Sequence, residues 1–273
     1  MSSSDLDGGE ASQGGGKLKV LCLHGFMQTA DAFRMRVGSM RKALKSRVEF
    51  EFLDAPFLAG DHLSAEQIAE LGGSASGRTW IKWADMAPGK RPSQSTAYID
   101  FDQTYLHMVD GLRAHAPDGV LGFSQGATAV ALLLAQLKRR QDRGLDLDVP
   151  APRFAVLVAG FLPRDPTYSE LLAAERVTTP SLFVVGEADA LVPPERTLAL
   201  MDTFDPQSTS LLRHAGAHMV PTCSGDVKRQ MAEFLDGFKP PAAAAAAEDA
   251  GAFSAGAAAA GPGPAPEEAA VVA

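Results

Sequence analysis

The chain has 273 residues, a length that an α/β protein commonly uses for one large domain rather than two small ones. Its formal net charge is −8, but seven acidic residues lie in 1–16 and 240–273, which leaves about −1 for residues 17–239. A nucleic-acid-binding protein, which needs a basic face, is therefore not indicated. The expected partner is a small-molecule substrate, and the oligomeric state is left open.

Both termini have the composition of solvated tails. Residues 1–16 are rich in Ser, Gly and acidic residues, and residues 240–273 are Ala-, Gly- and Pro-rich with scattered acids. Neither stretch has enough large apolar residues to build a core, so both are predicted to be disordered. A partner-binding segment is the alternative for 240–273. The folded domain is then 17–239.

Features of export and membrane insertion are missing from the sequence. The first residues have no apolar signal segment and no arginine, and no apolar run reaches the roughly 18–20 residues of a membrane helix. The two cysteines, Cys22 and Cys223, are interpreted as a core residue and a loop thiol, because a disulfide framework needs more. We expect a soluble cytoplasmic protein, with the nucleus as a second compartment.

Apolar strand patterns alternate with helical patterns along the folded part. Strands are predicted at 18–23, 48–53, 120–121, 154–158, 181–185 and 210–213. Helices are predicted at 30–45, at 99–115, over the Ala- and Leu-rich run that ends near residue 140, and at 225–238. This alternation predicts right-handed βαβ units and a mainly parallel sheet covered by helices on both faces. The ligand of such a sheet lies beyond the carboxyl ends of its strands.

Residues 57–97 form the least regular stretch of the domain. They contain Gly/Ser runs together with Trp80 and Trp83. This excursion is predicted to be either a cap over the site or a loop-rich insertion, and it is expected to shape the substrate pocket. The two tryptophans either line that pocket or pack in the core.

The stretch around Ser124 carries the chemistry. Gly122, Phe123, Ser124, Gln125 and Gly126 spell G-x-S-x-G between a predicted strand and a predicted helix. In that context the motif predicts a nucleophile elbow, because the glycines allow close backbone approach at a sharp turn. Ser124 would then stand near a helix N-terminus, where unpaired amides favour a developing oxyanion. The alternative is a glycine-flanked surface turn.

An acid and a base are predicted at the same edge of the sheet. Serine needs a base to become a nucleophile, and the base needs an acceptor that fixes its tautomer. Asp189 follows the strand at 181–185, and His218 follows the strand at 210–213, in the hydrolase order Ser, Asp, His. Glu187 and His214 are the rival acid and base. For Asp189 the alternative role is a turn residue or a helix N-cap.

The oxyanion hole is predicted to consist of two backbone amides. One belongs to Gln125, the residue after the nucleophile, and the other to Phe26 in the turn after the first strand. His24, at the end of that strand, is predicted to hold the turn by hydrogen bonds. The remaining histidines, His62, His107 and His115, are predicted to be solvated.

Five motifs give the chain a family resemblance over about residues 17–238. LCLHGFMQTADAF, FLDAP, GVLGFSQGA, GEADALVP and HAGAHMVP occur in this order, and together they resemble the FSH family of serine hydrolases. The resemblance implies an α/β-hydrolase fold, a triad of Ser124, Asp189 and His218, and hydrolysis of carboxylic esters of medium to long chain. One departure is Thr29 after Gln28, where the family commonly has Asn, which leaves the details of that turn open.

The leading hypothesis is a serine carboxylesterase that works through an acyl-enzyme and needs no cofactor. An acyl thioesterase or lysophospholipase with the same triad is the alternative, and a hydrolase-fold module that binds a small molecule with little turnover is another. No zinc-protease, C-x-x-C, P-loop or dinucleotide-binding motif occurs, so neither a metal nor a nucleotide is expected.

Overall fold

The computed structural model describes residues 16–61, 63–70, 76–85, 92–145 and 149–239. Within these ranges, Lys17–Phe238 belong to one compact unit. The tails predicted at 1–16 and 240–273 lie outside the described residues apart from Gly16, so their disorder stays a prediction.

Strands and helices alternate along the described chain as the sequence pattern predicts. The strands are β1 (Leu18–Leu23), β2 (Val48–Leu53), β3 (Phe57–Leu58), β4 (Arg78–Thr79), β5 (Lys82–Trp83), β6 (Tyr98–Ile99), β7 (Gly119–Phe123), β8 (Phe154–Val158), β9 (Ser181–Gly186) and β10 (Thr209–His214). The helices are α1 (Ala30–Arg36), α2 (Gly38–Ala43), α3 (Ala65–Glu70), α4 (Phe101–His115), α5 (Gln125–Asp142), α6 (Pro166–Glu175), α7 (Pro194–Met201) and α8 (Gly225–Asp236).

The central sheet has six parallel strands in the order β10-β9-β8-β7-β1-β2. These are the six predicted strands. Successive side chains of a strand point to opposite faces. Leu21 and Leu23 of β1 therefore join the apolar cluster that contains α4 and α5, whereas Val20 and Cys22 join the cluster that contains α1, α2 and α8. The predicted parallel sheet with helices on both faces is confirmed.

The observed helices differ from the sequence predictions in several respects. The helix predicted at 30–45 is two helices, because the backbone of Val37 leaves helical geometry (ψ 16°) just before Gly38, a weak helix former. The helix predicted from residue 99 begins at Phe101, because Tyr98 and Ile99 pair with β5. Helices α3, α6 and α7 were not among the predicted helices, although Asp165 caps the N-terminus of α6 and Pro166 occupies its first position.

The excursion at 57–97 contains β3, α3, β4 and β5 in this order along the chain. β3 pairs with β4 in one short antiparallel ribbon, and β5 pairs with β6, which directly follows the excursion, in a second. Residues 62, 71–75 and 86–91 of it lie outside the described part. Trp80 and Trp83 are both buried in the apolar core. Of the two roles predicted for them, core packing is therefore the one observed, and neither lines the cavity in the described part of the chain. Among the helices described here, none has the length and apolar character needed to cross a bilayer.

Candidate active site

Ser124 lies at a sharp turn between β7 and α5. Its backbone has φ 54° and ψ −118°, a strained conformation for a residue other than glycine. The surrounding chain holds it there: the Ser124 amide donates to the Val158 carbonyl at 2.8 Å, and the Ser124 carbonyl accepts from the amides of Ala127 and Thr128. The strand, turn and helix of a nucleophile elbow are therefore present.

Both glycines of the motif are required by backbone contact. A Cβ on Gly122 would lie 2.5 Å from the Cα of Ala127, and a Cβ on Gly126 would lie 2.4 Å from the His24 carbonyl oxygen. Neither neighbour is a flexible side-chain end that might move aside. The G-x-S-x-G spacing thus follows from the packing of α5 against β7 and β1.

Three side chains that are distant in sequence form one hydrogen-bonded chain. The Ser124 Oγ lies 2.9 Å from His218 Nε2, and His218 Nδ1 lies 2.7 Å from Asp189 Oδ2. Asp189 follows β9 and His218 follows β10, so both come from the carboxyl edge of the sheet. The Asp189 side chain is 1% exposed and that of His218 is 15% exposed.

The Asp189 carboxylate uses its two oxygens differently. Oδ1 accepts from the amides of Leu191 and Val192, at 2.9 and 2.8 Å, while Oδ2 faces His218. The turn role considered for this residue is thus combined with the contact to the imidazole. The N-cap role is wrong, because α7 begins at Pro194 with Pro193 as its cap.

The rival acid and base lie apart from the serine. Glu187 is exposed, and its amide donates to the His214 carbonyl. His214 Nδ1 accepts from the Gly216 amide at 3.1 Å, while its Nε2 is buried without a hydrogen-bond partner among the described residues. His214 is the last residue of β10, and its ring pairs with the loop that leads to His218 rather than with the nucleophile.

The two residues predicted to form the oxyanion hole line the cavity that contains Ser124. The amides of Phe26 and Gln125 donate no hydrogen bond to another described residue. The turn that carries Phe26 is held by β4: the Met27 amide donates to the Arg78 carbonyl, and the Arg78 amide donates to Gln28, each at 2.9 Å. Amides fixed in this way suit an oxyanion without reorganisation.

Thr29, the departure from the family pattern, has a local role. Its hydroxyl accepts from the Ala32 amide at 3.2 Å and caps the N-terminus of α1. Gln28, directly before it, accepts from the Gly25 amide through its side-chain oxygen at 3.3 Å. The change therefore leaves the Gly25–Gln28 contact of the turn in place.

His24 is fully buried beneath this turn. Its Nδ1 donates to the Gly25 carbonyl at 2.8 Å, and its Nε2 accepts from the Ala55 amide at 3.0 Å. It does not contact Ser124 and holds the turn, as expected. His107, expected to be solvated, is partly buried, and its ring pairs with the Asp54 carbonyl at 2.7 Å in an exposed hydrogen bond. His115 is partly buried, and His62 lies outside the described residues.

Burial of two histidines predicts acid sensitivity of the fold. Burial lowers the pKa of His24 and of His214, because desolvation disfavours the charged imidazolium, and in each ring one nitrogen accepts a backbone N–H. The unfolded chain then binds protons before the folded one does. Stability should therefore fall as the pH drops below the ordinary histidine value of about 6.5.

Urea unfolding at neutral pH and at mildly acidic pH measures this loss. His214→Asn keeps an acceptor for the Gly216 amide but cannot titrate, so the variant should lose less stability on acidification than the wild type. The loss of stability that remains in the variant is assigned to His24. An unchanged pH dependence in this variant would contradict the assignment of His214.

The side chain of Gln125 has a function that sequence reasoning missed. Its Oε1 accepts from the Trp80 amide at 2.9 Å and from the Thr79 hydroxyl at 3.0 Å, and its Nε2 donates to the Ile81 carbonyl. The residue after the nucleophile thus ties the excursion to the elbow. The available sequence signal was a glutamine at the start of a helix that is otherwise apolar. If that end of the helix is buried, the amide side chain needs hydrogen-bond partners.

A cavity of about 340 Å³ opens beside Ser124. Its described lining is mostly apolar and consists of Gly25, Phe26, Met27, Gln28, Glu70, Ser93, Phe123, Ser124, Gln125, Phe161, Leu191, Val192 and His218. Glu70 and Ser93 belong to the excursion, which therefore contributes to the wall. Within the described ranges, no group of three or more His, Cys, Asp or Glu side chains is placed to hold a metal ion.

Comparison with known proteins gives matches over most of the chain. The family model described as serine hydrolase (FSH1) matches residues 13–230. The esterase OVCA2 of Bos taurus is 31% identical over 227 residues, which cover 81% of this chain and 96% of the relative. Esterase C25G4.2 of Caenorhabditis elegans is 33% identical over 225 residues, 80% of this chain and 93% of that one.

Two solved structures share the fold at low identity. Esterase PE8 has a TM-score of 0.55 at 18% identity and covers 84% of this chain and 95% of its own. Acyl-protein thioesterase 2 of Zea mays has a TM-score of 0.51 at 16% identity, with 82% and 95% covered. These likenesses concern the fold alone, and together with the six-stranded parallel sheet they confirm the expected α/β-hydrolase architecture.

Proposed function

Because the chain belongs to the FSH1 family of serine hydrolases, we propose that it is a carboxylesterase whose nucleophile is Ser124, whose general base is His218 and whose orienting acid is Asp189. The observation that carries the proposal is the continuous hydrogen-bonded chain from the Ser124 hydroxyl through the imidazole to a carboxylate that is 1% exposed. It is the arrangement that activates a serine for acyl transfer.

Acylation of Ser124 is the first half of the reaction. His218 Nε2 takes the hydroxyl proton as Oγ bonds to the ester carbonyl carbon, and the carbonyl oxygen becomes an oxyanion that the amides of Phe26 and Gln125 stabilise. The tetrahedral intermediate collapses with cleavage of the bond to the alkoxide. The imidazolium gives its proton to that alkoxide, so an alcohol leaves and an acyl-enzyme remains.

Hydrolysis of the acyl-enzyme completes the cycle. A water molecule loses a proton to His218 as its oxygen attacks the acyl carbon, and the same two amides hold the second oxyanion. Collapse releases the carboxylic acid and returns the proton from His218 to Ser124 Oγ. Asp189 stays ionised throughout and keeps the imidazole in the tautomer that presents a lone pair to the serine.

The substrate class we propose is a neutral ester with a medium to long chain. The three phenylalanines Phe26, Phe123 and Phe161, with Leu191 and Val192, give the cavity an apolar wall. Its volume of about 340 Å³ lies within the range of small-molecule sites. Burial of a chain against this wall supplies binding free energy in proportion to the apolar area removed from water.

Turnover of matched substrates tests the proposal. We expect hydrolysis of p-nitrophenyl esters with kcat/KM rising from acetate to longer acyl chains, and covalent labelling of Ser124 by a fluorophosphonate. Faster turnover of the thioester with the same acyl group would favour an acyl thioesterase instead. A single stoichiometric burst without further product would favour a binding module, and no labelling of Ser124 would refute the nucleophile.

A further inference from the structure

We propose that Arg196 determines the chain-length preference of the cavity by joining two of its walls. Arg196 is a residue of α7 and does not line the cavity in the described part of the chain. Two residues that its guanidinium contacts, Phe161 and Ser93, both line it. The inference rests on the proposed esterase function, and it makes Arg196 a positioning residue rather than a catalytic one.

The first wall is Phe161, in the loop after β8. Its backbone is fixed to α5, because the Thr128 hydroxyl donates to the Phe161 carbonyl at 2.9 Å and accepts from the Phe161 amide at 3.0 Å. A second threonine, Thr197, donates to the Gly160 carbonyl at 2.6 Å. The Arg196 guanidinium lies over the Phe161 ring, with its Cζ 5.0 Å from the ring centroid.

The second wall is the segment at Ser93, which belongs to the excursion. The Ser93 carbonyl accepts from Arg196 Nη2 at 2.5 Å, and Ser93 is 8% exposed. Farther along the segment, the Tyr98 amide donates to Asp165 at 2.7 Å. Arg196 thus ties the cavity-lining end of this segment to the main domain.

Arginine suits this position for a geometric reason. Its planar guanidinium stacks on an aromatic ring while its N–H groups donate in the plane, so one side chain holds a ring and a carbonyl together. Arg196 is half-buried, and burial, together with the neighbouring charge of Arg164, lowers its pKa. A half-buried guanidinium depends on its hydrogen-bond partners for stabilisation. If the Arg196 guanidinium is removed, the Ser93 carbonyl loses this donor.

Loss of the guanidinium should change selectivity more than chemistry. In Arg196→Met the Ser93 segment and the Phe161 ring are no longer joined, so the wall that a long chain contacts is no longer fixed. A short acyl group that stays near Ser124 does not depend on that wall. We expect kcat/KM for the laurate ester relative to the acetate ester to fall by about tenfold, mainly through KM.

The experiment compares p-nitrophenyl acetate and laurate hydrolysis by the wild type, Arg196→Met and Arg196→Lys. Arg164→Met is the matched control, since it removes an exposed neighbouring arginine outside the cavity lining. Acetate turnover should stay within about threefold in every variant. Arg196→Lys, which keeps the charge and a donor, should recover part of the laurate preference. Amide exchange at residues 93–98 should become faster in Arg196→Met alone.

Several outcomes would overturn the proposal, and they differ from failure of the function. If the ratio of kcat/KM for laurate to kcat/KM for acetate is unchanged in Arg196→Met, or changes equally in Arg164→Met, Arg196 does not determine chain-length selectivity. The proposed esterase function would be unaffected by either result. Equal loss on both esters would indicate a general structural role. Absence of acetate turnover in the wild type would instead refute the proposed function, and this inference with it.

Discussion

Replacing Ser124 with alanine is expected to lower ester turnover by about 10⁴- to 10⁶-fold. The hydroxyl is the only group that we propose to bond to the substrate carbon, so its loss removes the acyl-enzyme route altogether. The fold should persist, because the elbow is held by the backbone bonds of Ser124 to Val158, Ala127 and Thr128, which alanine retains. The free energy of unfolding should therefore change little, because residue 124 has the same strained φ of 54° whether it is serine or alanine.

Steady-state kinetics on p-nitrophenyl esters and a thermal unfolding curve measure both parts of this expectation. Ser210→Ala is the matched control, because Ser210 is an exposed serine of β10 outside the cavity lining. It should retain turnover within about threefold. Ordinary turnover by Ser124→Ala would show that another residue is the nucleophile.

Replacing Asp189 with asparagine should lower kcat by roughly 10⁴-fold while preserving the fold. Two backbone amides, from Leu191 and Val192, donate to Oδ1 of Asp189, so the oxygen of an asparagine must occupy that position. Its NH₂ group then faces His218 Nδ1, where the carboxylate oxygen was. The imidazole must present a lone pair to that NH₂, which places its proton on Nε2. An Nε2–H cannot accept a proton from Ser124.

Two further variants separate this tautomer effect from structural damage. Asp189→Ala should lose activity and also stability, because it leaves the amides of Leu191 and Val192 without this acceptor, and the buried one, that of Val192, costs about 1–3 kcal/mol. Glu187→Gln, a change at the exposed rival acid, should leave kcat within about threefold. Near-normal turnover by Asp189→Asn, or a large loss in Glu187→Gln, would contradict the proposed acid.

The candidate site was predictable where local sequence encodes it. The two glycines of the motif indicate a turn too tight for a Cβ. In the structure, a Cβ on Gly122 or on Gly126 would overlap neighbouring backbone atoms. The order Ser, Asp, His and the position of each residue after an apolar strand located Ser124, Asp189 and His218 at one edge of a parallel sheet. The structure brings these three side chains together, and their catalytic roles remain to be tested by the variants above.

Residues whose partners come from distant segments were not predictable. The Gln125 side chain holds Trp80, and Arg196 holds Ser93, yet no periodicity or motif records either pairing. The same is true of His107, whose partner carbonyl belongs to Asp54. Each contact depends on where the irregular excursion and the loop ends come to lie, which loops with little periodic pattern do not encode locally.

The sequence by itself determined the six-stranded architecture, the elbow and the three polar residues at its edge, because strand alternation and tight turns impose strict local requirements on side-chain size and polarity. Only the tertiary structure decided that both tryptophans are core residues, that Asp189 serves a turn and an imidazole at once, and which side chains wall the cavity. These features follow from packing between segments far apart in the chain, where the free energy depends on spatial neighbours rather than on sequence neighbours.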